Sequence, residues 1–296
     1  MLAYHPAFQV HLVDHGVYPD MYDYPGGHRE LKLDNWAEIQ QRLQQPRVSL
    51  SLSRFSDGVF RTFRKKTKDA SNETEVMTNL LPTIQGDSDN PSGMKRMFTN
   101  LTPLTDGTIV DAQPDFYYGA RPQQLDPRIR RELSSDIIPS KDRSVPILPN
   151  HFTEGKGPKW GVIVAERQAL YDGALGARAM HRLQSYGEPL PIYDNNAYTI
   201  TSYYCSGLLS IFTVHLTEPR NPGDRPEYHM NQLGGWSMTG DPETFRKGAT
   251  AYRNARDWAG EKRDELIKAA NEKAVALSQD RSVGSSHHSE PSNSND

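Results

Sequence analysis

Residues 197–216 constrain the fold of this chain more than any other stretch. AYTITSYYC and LLSIFTVHL are two β-branched, aromatic arms, and the Ser206-Gly207 between them is a turn signal. A hairpin of this kind needs further strands or helices packed on it to be stable. Helices are available on both sides in sequence. Residues 161–186 place Val164, Gln168, Tyr171, Leu175, Arg178, Met180 and Leu183 at helical spacing, and Gly187 ends the run. Asp241 caps a last long helix with Pro242 at its first position. Phe245, Ala249, Tyr252, Ala255 and Ala259 form one face of it, and Asp264 with Lys268 is an i, i+4 pair on another. The expectation is an α/β domain with a mixed central sheet flanked by helices.

The remaining segments are weaker. Residues 1–33, rich in Tyr, His, Pro and Gly, show no sustained period and read as an irregular N-terminal extension, a strap over the domain. Asp34-Asn35-Trp36 opens a short helix with Trp36, Ile39 and Leu43 in phase, stopped by Pro46. Residues 53–69 read as a helix with Phe55, Val59 and Phe63 as its apolar stripe, and 72–81 as a short helix closed by Pro82. A loop over 85–97 leads to β-like stretches at Thr108-Ile109-Val110 and at Pro114 to Tyr118. Residues 119–144 hold a polar helix and a loop, 145–156 lead into a strand, and 219–226 are a loop. From Ser278 the composition is that of a disordered tail. The organisation expected is therefore an extension over 1–33, one domain over 34–277 and a tail over 278–296.

Composition removes several function classes. The 34 Lys and Arg against 37 Asp and Glu give a net charge of −3, which argues against a polycation that coats nucleic acid but leaves room for a local basic groove. The single cysteine, Cys205, rules out a disulfide framework and a Cys-based zinc cluster, and reads as a small packed strand residue. No apolar run approaches the ~18–20 residues of a membrane span, and the first residues lack the basic start of a signal peptide. An intracellular protein is expected, so the Asn72 and Asn100 sequons carry little weight. HExxH, GxxxxGK[ST], GxSxG and GxGxxG are all missing.

What the sequence does carry is a carboxylate–carboxylate–lysine constellation. Asp115 follows Pro114 at a strand start, and Glu154-Gly155-Lys156 lies in a second strand-like segment. Residues i and i+2 of a strand point to one side, so Glu154 and Lys156 project together and Asp115 on a neighbouring strand can meet them. Two carboxylates suit Mg²⁺, which takes hard oxygen ligands. The lysine can position or deprotonate an attacking water and offset charge on a phosphate. A helix carboxylate before the first strand would add a ligand, with Glu75 the candidate and Glu73 the reserve. Gln168 on the central helix could reach the same site.

The order helix(Glu)–PD–ExK–helix(Gln) resembles the PD-(D/E)XK nuclease superfamily, whose core is α-β-β-β-α-β. Residues 45–280 more closely resemble a fungal domain family of unassigned role related to that superfamily, through LTDGTIVDAQPDFYYGARP, PILPNHFTEGKGP, ERQALYDGALGARAMHRLQSYG, YDNNAYTIT and GATAYRNARDWAGEKRDE. The resemblance implies that Asp115 is the PD aspartate, that Glu154 and Lys156 are the ExK pair, and that Gln168 is the helical glutamine. Asp172 stands where the superfamily's QxxxY tyrosine would fall, and Tyr171 precedes it. The polar lead-in Asn150-His-Phe-Thr and the Gly155 inside the motif depart from the pattern and point to an exposed or loosened strand.

The implied activity is Mg²⁺-dependent hydrolysis of DNA phosphodiester bonds. The competing expectation is a non-catalytic nucleic-acid- or protein-binding module that keeps the fold. Arg54, Arg61, Arg64, Lys65, Lys66 and Lys68 are six basic residues in one short segment; they are either a solvated helix face or a phosphate-backbone contact. The ten histidines show no metal-ligand spacing on this reading, and His287-His288 in the tail reads as inert. The tyrosines of the extension and of the hairpin read as packing residues.

Overall fold

The computed structural model of the protein describes residues 1–24, 33–142, 144–158 and 161–285. Its strands are β1 (Val17–Tyr18), β2 (Ser92–Met94), β3 (Phe116–Ala120), β4 (Ile147–Lys156), β5 (Thr199–Cys205), β6 (Leu208–Thr217) and β7 (Glu227–Ser237). They form one mixed sheet in the order β1-β7-β6-β5-β4-β3-β2. The helices are α1 (Phe8–Asp14), α2 (Trp36–Leu43), α3 (Asp57–Asp69), α4 (Glu73–Glu75), α5 (Leu81–Gln85), α6 (Pro127–Glu132), α7 (Ser134–Ile137), α8 (Val162–Gln184) and α9 (Pro242–Ser285). Among the described residues no helix is long and apolar enough to cross a membrane.

The hairpin is present as β5 and β6, in antiparallel register from Thr199↔Val214 to Cys205↔Leu208. Ser206 and Gly207 both have positive φ, 49° and 87°, as a two-residue primed turn demands. β2, β3 and β4 form an antiparallel meander, and α8 carries the chain over to β5, which runs parallel to β4. α8 and α1 cover one face of the sheet; α9 with α2, α3 and α5 covers the other. β4 is thus central and buried along its whole length. It is neither exposed nor loosened, contrary to the reading of its polar lead-in.

Asn150 and Thr153 of that lead-in are satisfied, largely from the α9 side, while His151 packs its ring edge-on against Tyr252 with both ring nitrogens lacking a hydrogen-bond partner among the described residues. Asn150 donates to Tyr198 O (2.9 Å) and Ala259 O (2.7 Å) and accepts from Arg263 Nη1 (2.9 Å). Thr153 shares hydrogen bonds with Ser202 Oγ (3.0 Å) and Tyr252 Oη (2.8 Å). Buried polar groups with partners do not incur the desolvation penalty that would expel them. Gly155 has a packing reason as well, since a Cβ there would lie 2.5 Å from Met77 Sδ.

Several other elements differ from expectation. The first residues are not wholly irregular: α1 is a helix, and β1 pairs parallel to β7 at the sheet edge. α3 starts at Asp57, capped by Ser56 Oγ, and buries Phe60 and Phe63, while Val59 is exposed. Pro82 does not end the next helix. Val76–Leu80 wind as a wider π-turn, so Pro82 enters at the first turn of α5, where its missing N–H has no bond to lose. Part of the 85–97 loop is β2, and Thr108 to Val110 form no strand. α9 continues past Ser278 to Ser285, where a tail was expected, and residues 286–296 lie outside the described residues.

Four buried histidines set an acid limit on this fold. Burial pushes His151 down to about 3, with Arg256 and Arg263 adding to the shift; it also lowers His215 and His181 to about 4 and His229 to about 3. The unfolded chain takes up protons near pH 6.5 that the folded chain refuses. Stability therefore falls as pH drops from about 6.5 towards 4, by up to ~1.4 kcal/mol per pKa unit and histidine. Urea unfolding across this window is expected to show that slope, and His151→Phe, which removes one such group, is expected to flatten it. A slope unchanged in the variant would contradict the assignment.

Candidate functional site

The antiparallel register that sets Phe116 opposite Thr153 brings Asp115, one residue earlier, beside Glu154. The two then lock each other. Asp115 N–H donates to Glu154 Oε1 (3.0 Å), and Gly155 N–H donates to Asp115 Oδ2 (3.0 Å). Glu154 and Lys156 sit on the same side of β4, together with Phe152 and facing α8. Lys156 Nζ donates to Glu154 Oε2 (3.0 Å) and Asp115 Oδ2 (3.3 Å). Asp115, Glu154 and Lys156, picked out from the sequence, are therefore brought together, and all three are buried.

Glu75 is not part of the group. Asn72 Oδ1 accepts from Glu75 N–H (3.0 Å), and Glu75 Oε2 accepts from Ser71 N–H (2.7 Å), so Glu75 caps the start of its own helix and is half-buried there. That hydrogen bond holds its carboxyl below the usual carboxylate range. Glu73, the reserve, faces the site instead: its Oε1 lies 3.2 Å from Lys156 Nζ, an ion pair without hydrogen-bond alignment. Gly157 lets the helix start come this close, because a Cβ there would lie 2.9 Å from Asn72 Cα. The sequence held the signal: Asn72-Glu-Thr-Glu75 has the spacing of a capping box, which commits the carboxylate three residues after the cap and leaves Glu73 free.

Asp172 joins from α8 and was not among the expected site residues. Its carboxyl is pushed well above the usual range, first by burial and then by the charge and hydrogen bond of Glu154. That rise favours its protonated form beside Glu154. Gln168 lies one turn earlier on the same face of α8, a spacing that could have flagged Asp172. Gln168 Oε1 and Asp172 Oδ2 are buried without a hydrogen-bond partner among the described residues.

Glu73, Asp115, Lys156, Gln168 and Asp172 line a cavity of about 690 Å³, with Glu154 buried behind them. Its other walls combine the chain start (Leu2 to Tyr4 and Phe8) and apolar Met97 and Ile109 with polar Lys95, Asp111 and Gln113. The first residues are held across it by Val110 N–H to Met1 O (3.1 Å) and by Arg167 Nη1 to Ala3 O and His5 O (3.3 Å each).

Four carboxyl groups around one ammonium leave an excess of negative charge in a low-dielectric place. Burial raises Glu154 to about 7 against the pull of Lys156, and the Asp115 charge adds to the rise. Burial disfavours the Lys156 charge, but Glu154, Asp115 and Glu73 outweigh it and hold the ammonium well above its usual range. Lys156 is therefore a donor and a fixed positive charge rather than a base. The donor set of Asp115, Glu154, Glu73 and Asp172, with Gln168 Oε1, is all oxygen, the chemistry of a hard divalent cation such as Mg²⁺, but its carboxylates are spread around Lys156 Nζ and no three of them bring oxygens within 4.8 Å of one another. The two orphaned oxygens on α8 are the observation that favours the cation.

The basic segment is exposed as expected. Arg61, Arg64, Lys65 and Lys68 line a shallow surface groove with Thr67 and Thr239, and Lys66 is exposed beside it. α3 leads directly through residues 70–72 into the helix start that carries Glu73. Cys205 is a buried strand residue opposite Lys156 in the β4–β5 register.

Comparison with protein-family models, with curated proteins and with solved structures finds no match to this chain.

Lys156→Met leaves the buried carboxylates uncompensated, and removal of one partner from such a group costs about 3–5 kcal/mol. The loss is expected to be larger at pH 8 than at pH 5.5, which lies below the raised Glu154 value of about 7. Urea midpoints of wild type and variant at the two pH values measure it; equal stability at pH 8 would contradict this account of the cluster.

Proposed function

We propose that the chain is a metal-dependent nuclease that hydrolyses DNA phosphodiester bonds with water. The observation that carries the reading is the convergence of Asp115, Glu154 and Lys156, two of which line a cavity, with Glu73 and Asp172 completing an oxygen-rich set. The succession of helix 73–85, β2, β3, β4, α8 and β5 supports kinship with the PD-(D/E)XK core and with the fungal family that the sequence resembles. An intracellular setting goes with this reading, as does a reduced Cys205.

Asp115 and Glu154 would hold Mg²⁺, with Glu73 in reach, and the ion would supply Lewis-acid polarisation of the scissile phosphate. Lys156 donates to the attacking water or to a phosphate oxygen and offsets the charge that grows there. Glu154, whose carboxyl is raised to about 7 by burial in the absence of a metal, would give up its proton to bind the ion. Asp172 holds Glu154 in place, and Gln168 offers its oxygen towards the same space. The cavity takes one or two nucleotides rather than the side of a duplex, which favours a strand end or an unpaired segment. Arg61, Arg64, Lys65, Lys66 and Lys68 would track the phosphate backbone as it approaches.

The non-catalytic binding module is the second reading. The burial of the Lys156 ammonium, 2 % exposed and engaged by three carboxylates, is the observation in its favour.

Incubation of single- and double-stranded DNA with Mg²⁺ separates the two. Wild type is expected to cleave, and Asp115→Asn and Lys156→Met are expected to lose about 100-fold or more. Equal cleavage by all three proteins would end the nuclease reading, and DNA retention without cleavage would favour the module. Reversing Arg64, Lys65 and Lys68 to Glu is expected to weaken DNA binding and to reduce the slope of log affinity against log salt by roughly two to three. An unchanged slope would return α3 to a merely solvated face.

A further inference from the structure

A second group of ligand-type side chains lies outside the acidic cavity. His11 on α1 and His15 just after it are one helical turn apart, so their imidazoles stand side by side, with ring centroids 4.4 Å apart. Asp106 comes up against them from a distant part of the chain: its Oδ1 lies 3.1 Å from His11 Nε2. One ligand atom from each of the three residues falls within 4.8 Å of the other two. Nitrogen and oxygen ligands at about 2.0–2.1 Å from a tetrahedral Zn²⁺ stand roughly 3.3 Å from each other. Without the ion, His11 Nε2 donates to Asp106 Oδ1 and lies 3.2 Å from Thr108 Oγ1; a metal would take the place of that proton at nearly the same His11–Asp106 spacing, and a small ring rotation brings in His15.

Two of the three are oriented from behind. His15 Nδ1 lies 2.8 Å from His11 O; a carbonyl only accepts, so Nδ1 carries the proton and Nε2 keeps its lone pair for a metal. Asp106 Oδ1 accepts from Thr108 N–H (3.0 Å) and Thr108 Oγ1 (2.7 Å), which fixes the carboxylate and leaves Oδ2 outside that turn. The histidines are half-buried and Asp106 is exposed, so a fourth position opens to water. Two imidazoles and a carboxylate suit Zn²⁺, and Co²⁺ as its stand-in, rather than Mg²⁺, which takes oxygen alone.

We propose that His11, His15 and Asp106 form a Zn²⁺ site that staples α1 to the loop carrying Asp106. The site has a structural consequence. Phe8 of α1 and Ile109 to Asp111 of the loop both line the acidic cavity. A metal clamp between the two segments fixes two of its walls, and it does so whether or not the cavity is a nuclease site.

The test is a titration of the full chain with Co²⁺, read by its visible absorption, and with Zn²⁺ in competition with a chromophoric chelator. Wild type is expected to bind one Co²⁺ with the strong visible absorption of a low-coordinate nitrogen–oxygen site, distinct from the weak absorption of any ion held by oxygen alone in the acidic cavity, and Zn²⁺ is expected to displace it. His15→Gln and Asp106→Asn both alter solvent-reachable side chains; each is expected to weaken binding at least tenfold. Hydrogen exchange of amides 8–16 is expected to slow on Zn²⁺ addition in wild type and not in the variants. Binding that persists in both variants, or that is lost in Asp115→Asn instead, would place the ion elsewhere and overturn the proposal, as would the absence of binding.

Discussion

The buried Lys156 ammonium is the interaction around which the candidate site is organised. An ammonium at this depth is tolerated only with charge partners at hydrogen-bond range, and it has three: Glu154, Asp115 and Glu73. Those partners come from three separate elements. The register of β3 on β4 sets Asp115, the two-residue period of β4 sets Glu154, and the close approach of the helix start to Gly157 sets Glu73. The same arrangement accumulates more carboxyl groups than the lysine can balance. Glu154 and Asp172 respond by keeping or sharing protons. A divalent cation would replace those protons and settle the excess charge, which links the electrostatics of the fold to a chemistry on phosphates.

The central position of β4 depends in turn on α9. Polar residues on the side away from the cavity would be costly in a buried strand if they lacked partners. Tyr252, Ala259 O and Arg263 of α9 supply them to Thr153 and Asn150. Met77, on the π-turn, fills the space over Gly155. The long last helix and the irregular helix 73–85 are therefore supports for the strand that carries Glu154 and Lys156, and not only a covering layer.

Much of this was legible in the sequence where a strong period or a forced turn was present. The hairpin, the central helix, the start of α9, and the placing of Glu154 and Lys156 on one side of a strand all followed from local pattern. Other features depended on contacts that local pattern does not contain. β7 carries His, Asn, Gln and two glycines, weak strand formers, and is held by its pairing with β6. The polar lead-in of β4 looked like surface because its partners lie 48 to 113 residues away. Pro82 looked like a stop because a π-turn has no sequence signature. Two signals were present and passed over: the capping-box spacing that removes Glu75 from the site, and the i, i+4 spacing of His11 and His15.

The central claim is that the carboxylates around Lys156 form a divalent-cation site. Isothermal titration of Mn²⁺ or Mg²⁺ into wild-type protein and Asp115→Asn tests it most directly, because it needs no assumption about substrate. The account predicts one oxygen-ligand site in wild type, lost in the variant, with proton release as the ion replaces the protons on Glu154 and Asp172. Absence of binding in wild type, or equal binding in the two proteins, would contradict it.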